Sequence, residues 1–203
     1  FKSMIPEHSP MNGPAANQPL YDIYRTNGDA VRYALGRSGP SPFFIIALNP
    51  STATQYRRDQ TLTRIERFAL RRANSTAKAQ QALILCNLYP KRTTDPNALP
   101  SKPDLDLVEQ NTRHISSLVQ RAESPEIWAA WGDSIEKRPY LMESLRHLHL
   151  ALSPHSPRWL RCGPLTHKGH PRHPSRLSYK SRFHPLDLET YLFSGFHSTH
   201  TLY

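Results

Sequence analysis

Four short apolar runs punctuate the chain, and polar residues follow each of them. The runs are Phe43 to Leu48 (FFIIAL), Ala82 to Tyr89 (ALILCNLY), Glu126 to Trp131 (EIWAAW) and Arg158 to Cys162 (RWLRC), all of strand length. Apolar positions recur at helical spacing between them. Leu62, Ile65, Phe68 and Ala69 share one face; Leu107, Val108, Ile115, Leu118 and Val119 a second; Tyr140, Leu141, Leu145 and Leu148 a third. This alternation predicts an α/β domain, a three-layer α/β/α sandwich around a central, mostly parallel four-stranded sheet. Pro40 and Pro42 introduce the first strand, and Asp187 is placed to cap a last helix over Leu188 to Phe193. Tyr21 to Leu35 reads as an added strand pair turned at Asn27-Gly28. Residues 1–20, rich in Pro, Asn and Ser, are expected to be a flexible leader, with Phe1 to Ser3 ahead of Met4 an expression remnant; residues 21–203 are expected to form a single domain.

Charge narrows the partners. The chain of 203 residues carries 26 Lys plus Arg against 16 Asp plus Glu, a formal net charge of +10, which favours an acidic partner. Between Glu143 and Asp187 there is no carboxylate, while Arg146, Arg158, Arg161, Lys168, Arg172, Arg176, Lys180 and Arg182 fall inside that interval. Arg57, Arg58, Arg64, Arg67, Arg71 and Arg72 form a second basic group with Asp59 and Glu66 as counterweights. Phosphate contacts are the natural use of both groups; for Arg64, Arg67 and Arg71 alone a solvated helix face is an equal alternative. No run approaches the roughly 20 apolar residues of a membrane span, and no export signal is evident, so the chain is expected to be soluble and cytoplasmic. Cys86 and Cys162 sit in apolar segments and read as buried hydrophobes, too few for a disulfide framework.

The polar residues that follow the runs suggest one site. Asn49-Pro50-Ser51-Thr52 ends the first strand, Asn87 and Tyr89-Pro90 the second, Gly132-Asp133-Ser134 the third, and a loop dense in His, Pro, Ser and Arg, Cys162 to Ser178, follows the fourth. All lie at carboxyl ends of strands, where open α/β sheets hold their ligands.

In order, LNPST (Leu48 to Thr52), ILCNLYP (Ile84 to Pro90), IWAAWGDSIEK (Ile127 to Lys137) and HPSRLS (His173 to Ser178) resemble the motifs of the uracil-DNA glycosylase superfamily. More narrowly, FIIALNPSTA, CNLYPKRTTDP, AAWG and THKGHPRHP are similar to a family of bacterial and phage proteins with an LNPSTA signature. The resemblance implies a DNA glycosylase that flips a base out of the stack and breaks its N-glycosidic bond, leaving an abasic site. It implies that Asn49 positions the attacking water, Pro50 fixes the turn, Asn87 pairs with the base edge, and Leu48, Ser51 and Tyr89 complete a base pocket. It also implies that His173, or His170 in its place, stabilises the departing base, with Asp59 a further candidate for ordering water or substrate. Arg57, Arg58, Lys168, Arg172, Ser175, Arg176 and Lys180 would grip DNA, and Leu177 would wedge into the vacated stack.

Two departures inform the substrate. Ser51 stands where the uracil enzyme has a bulky Tyr that excludes 5-methyl groups, so the pocket is expected to admit a larger 5-substituted pyrimidine, with defence against phage carrying modified DNA as a setting. Arg176 replaces a Pro, favouring phosphate grip over rigidity. A zinc site drawn from Cys162, His167, His170 and His173 is opposed by Gly169 and Pro171, which break helical ligand spacing, and two cysteines are too few for an iron–sulfur cluster. The reading therefore names no metal, no cofactor, no membrane contact and no obligate protein partner. Its rivals are a non-catalytic nucleic-acid-binding module and a hydrolase of free nucleosides or nucleotides.

Overall fold

The computed structural model describes residues 18–73 and 82–194, so most of the expected leader lies outside the described residues. The chain forms an α/β domain. Its strands are β1 (Ile23–Asn27), β2 (Val31–Arg37), β3 (Phe43–Ala47), β4 (Leu83–Asn87), β5 (Glu126–Ala129), β6 (Arg158–Cys162) and β7 (Phe183–Pro185). Its helices are α1 (Gln60–Arg72), α2 (Leu105–Val119), α3 (Pro139–Leu152) and α4 (Leu188–Ser194).

The expected four-stranded sheet is too small: one seven-stranded sheet runs in the order β1-β2-β4-β3-β5-β6-β7. β4, β3, β5 and β6 pair in parallel, whereas β1 with β2, β2 with β4, and β6 with β7 pair antiparallel. The Asn27-Gly28 hairpin adds two of the extra strands, with Gly28 at φ +60°, where a side chain is strained. The third, Phe-His-Pro, is too short and polar to show a strand period.

Alternating strand residues explain the layers. Phe44, Ile46, Ile84, Cys86 and Ile127 point to one face and pack with Ile115, Val119, Leu141, Leu145 and Leu188 of α2, α3 and α4. Phe43, Ile45, Leu83, Leu85 and Trp128 point to the other, against Leu62, Ile65, Phe68 and Ala69 of α1. Asp59 and Asp104 cap α1 and α2, and the Asp187 carboxylate accepts from the Thr190 N–H at 2.9 Å. α1 follows β3 on one face of the sheet, whereas α2 and α3 follow the neighbouring strands β4 and β5 on the other, so the loop after β3 diverges from those on either side and opens a crevice between them. No helix among the described residues is long and apolar enough to cross a membrane.

Candidate functional site

A cleft of about 930 Å³ opens at the carboxyl ends of β3, β4, β5 and β6. Its lining begins at Arg32 and ends at Arg176. Leu48, Asn49, Ser51, Asp59, Asn87, Arg172, His173, Ser175 and Arg176 all contribute.

Asn49 follows β3 at a turn stitched to the next segment, with Thr93 N–H donating to the Pro50 carbonyl at 2.9 Å. The Asn49 Nδ2 donates to the carbonyls of Pro50 at 3.0 Å and Thr93 at 2.8 Å. Both amide hydrogens are thereby committed, and Oδ1 is the acceptor left to a ligand. Asp59 is likewise braced: one carboxylate oxygen accepts from Leu62 N–H at 2.8 Å and the other from Ala53 N–H at 3.3 Å. Asn87 is 1% exposed, and its Nδ2 has no hydrogen-bond partner. An unpaired buried donor costs about 1–3 kcal/mol, which a ligand acceptor in the cleft can relieve.

His173 caps the short turn Pro174–Arg176. Its Nδ1 accepts the Ser175 N–H at 3.3 Å and lies 2.8 Å from Ser175 Oγ. A backbone N–H can only donate, so Nδ1 bears no proton and the neutral ring carries its hydrogen on Nε2. Burial pushes the imidazole down to about 4; the Asp59 carboxylate opposes this, while Arg176 and Arg64 reinforce it. The ring therefore stays neutral well below pH 7 and offers one N–H donor. Gly132, at φ +68°, makes room for it, since a Cβ there would stand 3.0 Å from His173 Cβ. Arg64 ties the loop to α1 by donating Nε to the Pro174 carbonyl at 2.9 Å, donating Nη2 to the Leu177 carbonyl, and lying over the Tyr179 ring.

His170 stands elsewhere, behind the cleft wall. Its Nδ1 lies 2.7 Å from the Tyr191 hydroxyl and its Nε2 2.9 Å from Glu136 Oε1. Tyr191 Oη also accepts from Trp131 Nε1 at 3.1 Å, and Lys168 donates to the other Glu136 oxygen. Both imidazole nitrogens are occupied, which suits a buttress under Trp131.

Other expected site residues also lie outside the cleft lining. Tyr89 is buried in the α2/α3 core, its hydroxyl accepting the Asp104 N–H at 3.0 Å. Leu177, expected as a wedge, is 5% exposed and packs in the α1 core, because the loop turns it inward against Gly163. Pro50 is buried and shapes the turn through its carbonyl. Arg58 pairs with Glu66 at 2.6 Å and Lys168 with Glu136. Arg57 lines an adjoining cavity, and Lys180 is exposed away from the cleft.

The basic face is smaller than the acid-free interval suggests, because carboxylates arrive from outside that interval. Glu126 holds Arg158 and Arg72, Glu136 holds Lys168, and Glu143 holds Arg146. Arg172 donates to the Pro164 and Leu165 carbonyls and still borders the cleft beside Arg176. Among the described residues no group of three or more His, Cys, Asp and Glu side chains is arranged to hold a metal ion. Burial pushes the Cys86 and Cys162 thiols up, to about 12 and about 11, which makes both inert.

Sequence reasoning missed Arg32, Thr93 and Thr94, which also line the cleft. Arg32 offered one signal, a charge set within a strand that is otherwise uncharged up to its closing Arg37.

The family match coincides with this boundary. Residues 32–175 match the family described as Protein of unknown function (DUF1643). The chain belongs to the DUF1643 family. The DUF1643 match thus begins at the first cleft residue and ends one residue before the last. No curated protein and no solved structure matches the chain.

Proposed function

We propose that the chain is a monofunctional DNA glycosylase of uracil-DNA glycosylase-like architecture, acting on a modified base such as a 5-substituted pyrimidine. The observation that carries this reading is the convergence of an acceptor fixed on Asn49, a donor fixed on His173 and an unpaired amide on Asn87 around one cleft. In the reaction, water held at Asn49 Oδ1 attacks C1′ of the flipped nucleotide. The N-glycosidic bond breaks, its electron pair leaves with the base, and His173 Nε2–H donates a hydrogen bond to the charge developing there. Water's proton passes to solvent or to the released base. An amide is a poor proton acceptor, so Asn49 acts by positioning rather than by proton abstraction. Arg172 and Arg176 at the rim suit phosphate contacts, and Ser51 leaves room at the pyrimidine's C5 side.

A hydrolase of free nucleotides is the second reading. It is favoured by the ion pairs that consume Arg58, Arg72, Arg158 and Lys168 and so shrink the surface available to a duplex. Incubation with plain, uracil-containing and 5-modified duplexes, then alkali, separates the two. Scission at the modified position supports the glycosylase; intact duplexes with base release from free nucleotides would replace it by the second reading.

A further inference from the structure

The cleft contains a charge that the proposed reaction does not use. Arg32 lies on β2 and is 1% exposed, yet it lines the cleft. Its Nη1 donates to the Ala53 carbonyl at 2.8 Å, while its Nε is buried without a partner. Arg92 Nη2 donates to that same carbonyl at 2.8 Å, so two guanidiniums converge on one neutral oxygen. Among the described residues Arg32 makes no ion pair with a carboxylate. Asp59 is close enough to interact with it, but both Asp59 oxygens already accept backbone N–H groups. Arg92 borders the adjoining cavity of about 440 Å³, which meets the cleft at Ser51, Thr93 and Thr94.

The buried Arg32 and the half-buried Arg92 face the Asp59 carboxylate, with Asp29 on the lining of the adjoining cavity, and Arg32 itself is left buried without a carboxylate partner among the described residues. Such a charge is costly without a counterion, and a protein that keeps one open to a cleft is arranged to receive a negative group there. We propose that the cleft floor is an anion subsite, in which the Arg32 guanidinium, backed by Arg92, receives a carboxylate or phosphate carried by the molecule that fills the cleft. The free Nε supplies a charge-assisted hydrogen bond, and the cavity beyond Ser51 gives the anionic group room. In its substrate aspect this rests on the base-excision reading: the anion is either a substituent of the flipped base or a phosphate of the nucleotide. The subsite itself stands independently of that reading.

The test uses the full chain. Thermal unfolding is followed while inorganic phosphate is titrated against sodium chloride at matched ionic strength. The expected result is a saturable rise in Tm with phosphate that chloride does not give, with Arg32→Gln weakening the apparent affinity roughly 10–100-fold. Should Arg32→Gln fail to fold, Arg92→Gln on the partly exposed neighbour serves instead and weakens it in the same direction. No saturable rise in the parent protein, or an equal rise in the folded variants, overturns the subsite. Base release from duplexes bearing 5-carboxyl or 5-methyl pyrimidine then distinguishes the sources. A loss in Arg32→Gln confined to the carboxyl substrate assigns the anion to the base, and an equal loss on both assigns it to phosphate. Phosphate binding at Arg32 with no base release from any duplex keeps the subsite and removes the glycosylase. Base release with no phosphate response does the reverse.

Discussion

His170 and His173 share one loop and differ in what surrounds them. His170 is closed on both nitrogens by Tyr191 and Glu136, under a Trp131 whose indole N–H bonds the same tyrosine. His173 is closed on Nδ1 alone, so its Nε2–H is the donor left for the cleft. A fully satisfied network rigidifies what it touches, whereas a half-satisfied ring is poised for a ligand. Asn87 shows the same division within one residue: its carbonyl accepts from Asn111 Nδ2 at 2.8 Å, while its own Nδ2 has no partner. Groups that build the site and groups that use it thus sit side by side and are told apart by their partners.

Of the two histidines, His173 carries the larger expected effect. His173→Ala should lower single-turnover base release by roughly 10²–10³-fold, the scale of losing one oriented donor, with DNA affinity unchanged. His170→Ala should spare that donor and cost about 1–3 kcal/mol in urea unfolding, because Tyr191 and Trp131 lose their buttress. An equal loss of rate in the two variants would erase the distinction between them.

The pH profile sharpens the comparison further. Because burial holds His173 at about 4, base release should be flat from pH 8 to about pH 5 and fall near 4, where a proton on Nδ1 breaks the bond from Ser175 N–H that orients the ring. An inflection near 6.5 would mean an exposed, ordinary imidazole. The sign for stability follows: the unfolded chain takes up a proton on this ring near 6.5 and the folded chain only near 4. Stability from this group therefore falls as pH drops through that interval, and His173→Ala should flatten that slope in pH-dependent melting. The smallest effect is at the rim, where Arg176→Ala should weaken DNA binding on every sequence and reduce the slope of log K against log salt by about 1.

Much of the frame was legible in the chain. The four apolar runs became the parallel strands β3 to β6, with ends shifted by a residue or two, because fully buried strands leave an unbroken apolar stretch. The helical faces Leu62/Ile65/Phe68/Ala69 and Tyr140/Leu141/Leu145/Leu148 are buried as their spacing predicts. β7 was illegible, since three residues with a proline show no period. The cleft gathered Asn49, Asn87 and His173 because strand ends announce themselves by polar residues after apolar runs. Tyr89 and Leu177 were misplaced for a physical reason: position in a motif does not tell which way a side chain turns, and both turn into the core. Arg32 showed only as a charge in a largely apolar strand, because its meaning lies in missing partners, which only three dimensions reveal.

The central claim is that Asn49 holds the water that cleaves the glycosidic bond. The direct measurement is base release by Asn49→Ala under single turnover, alongside equilibrium binding to the same modified duplex. The account predicts a rate lower by roughly 10²–10⁴-fold with binding retained. A rate close to that of the parent protein, or a loss of binding equal to the loss of rate, would contradict it.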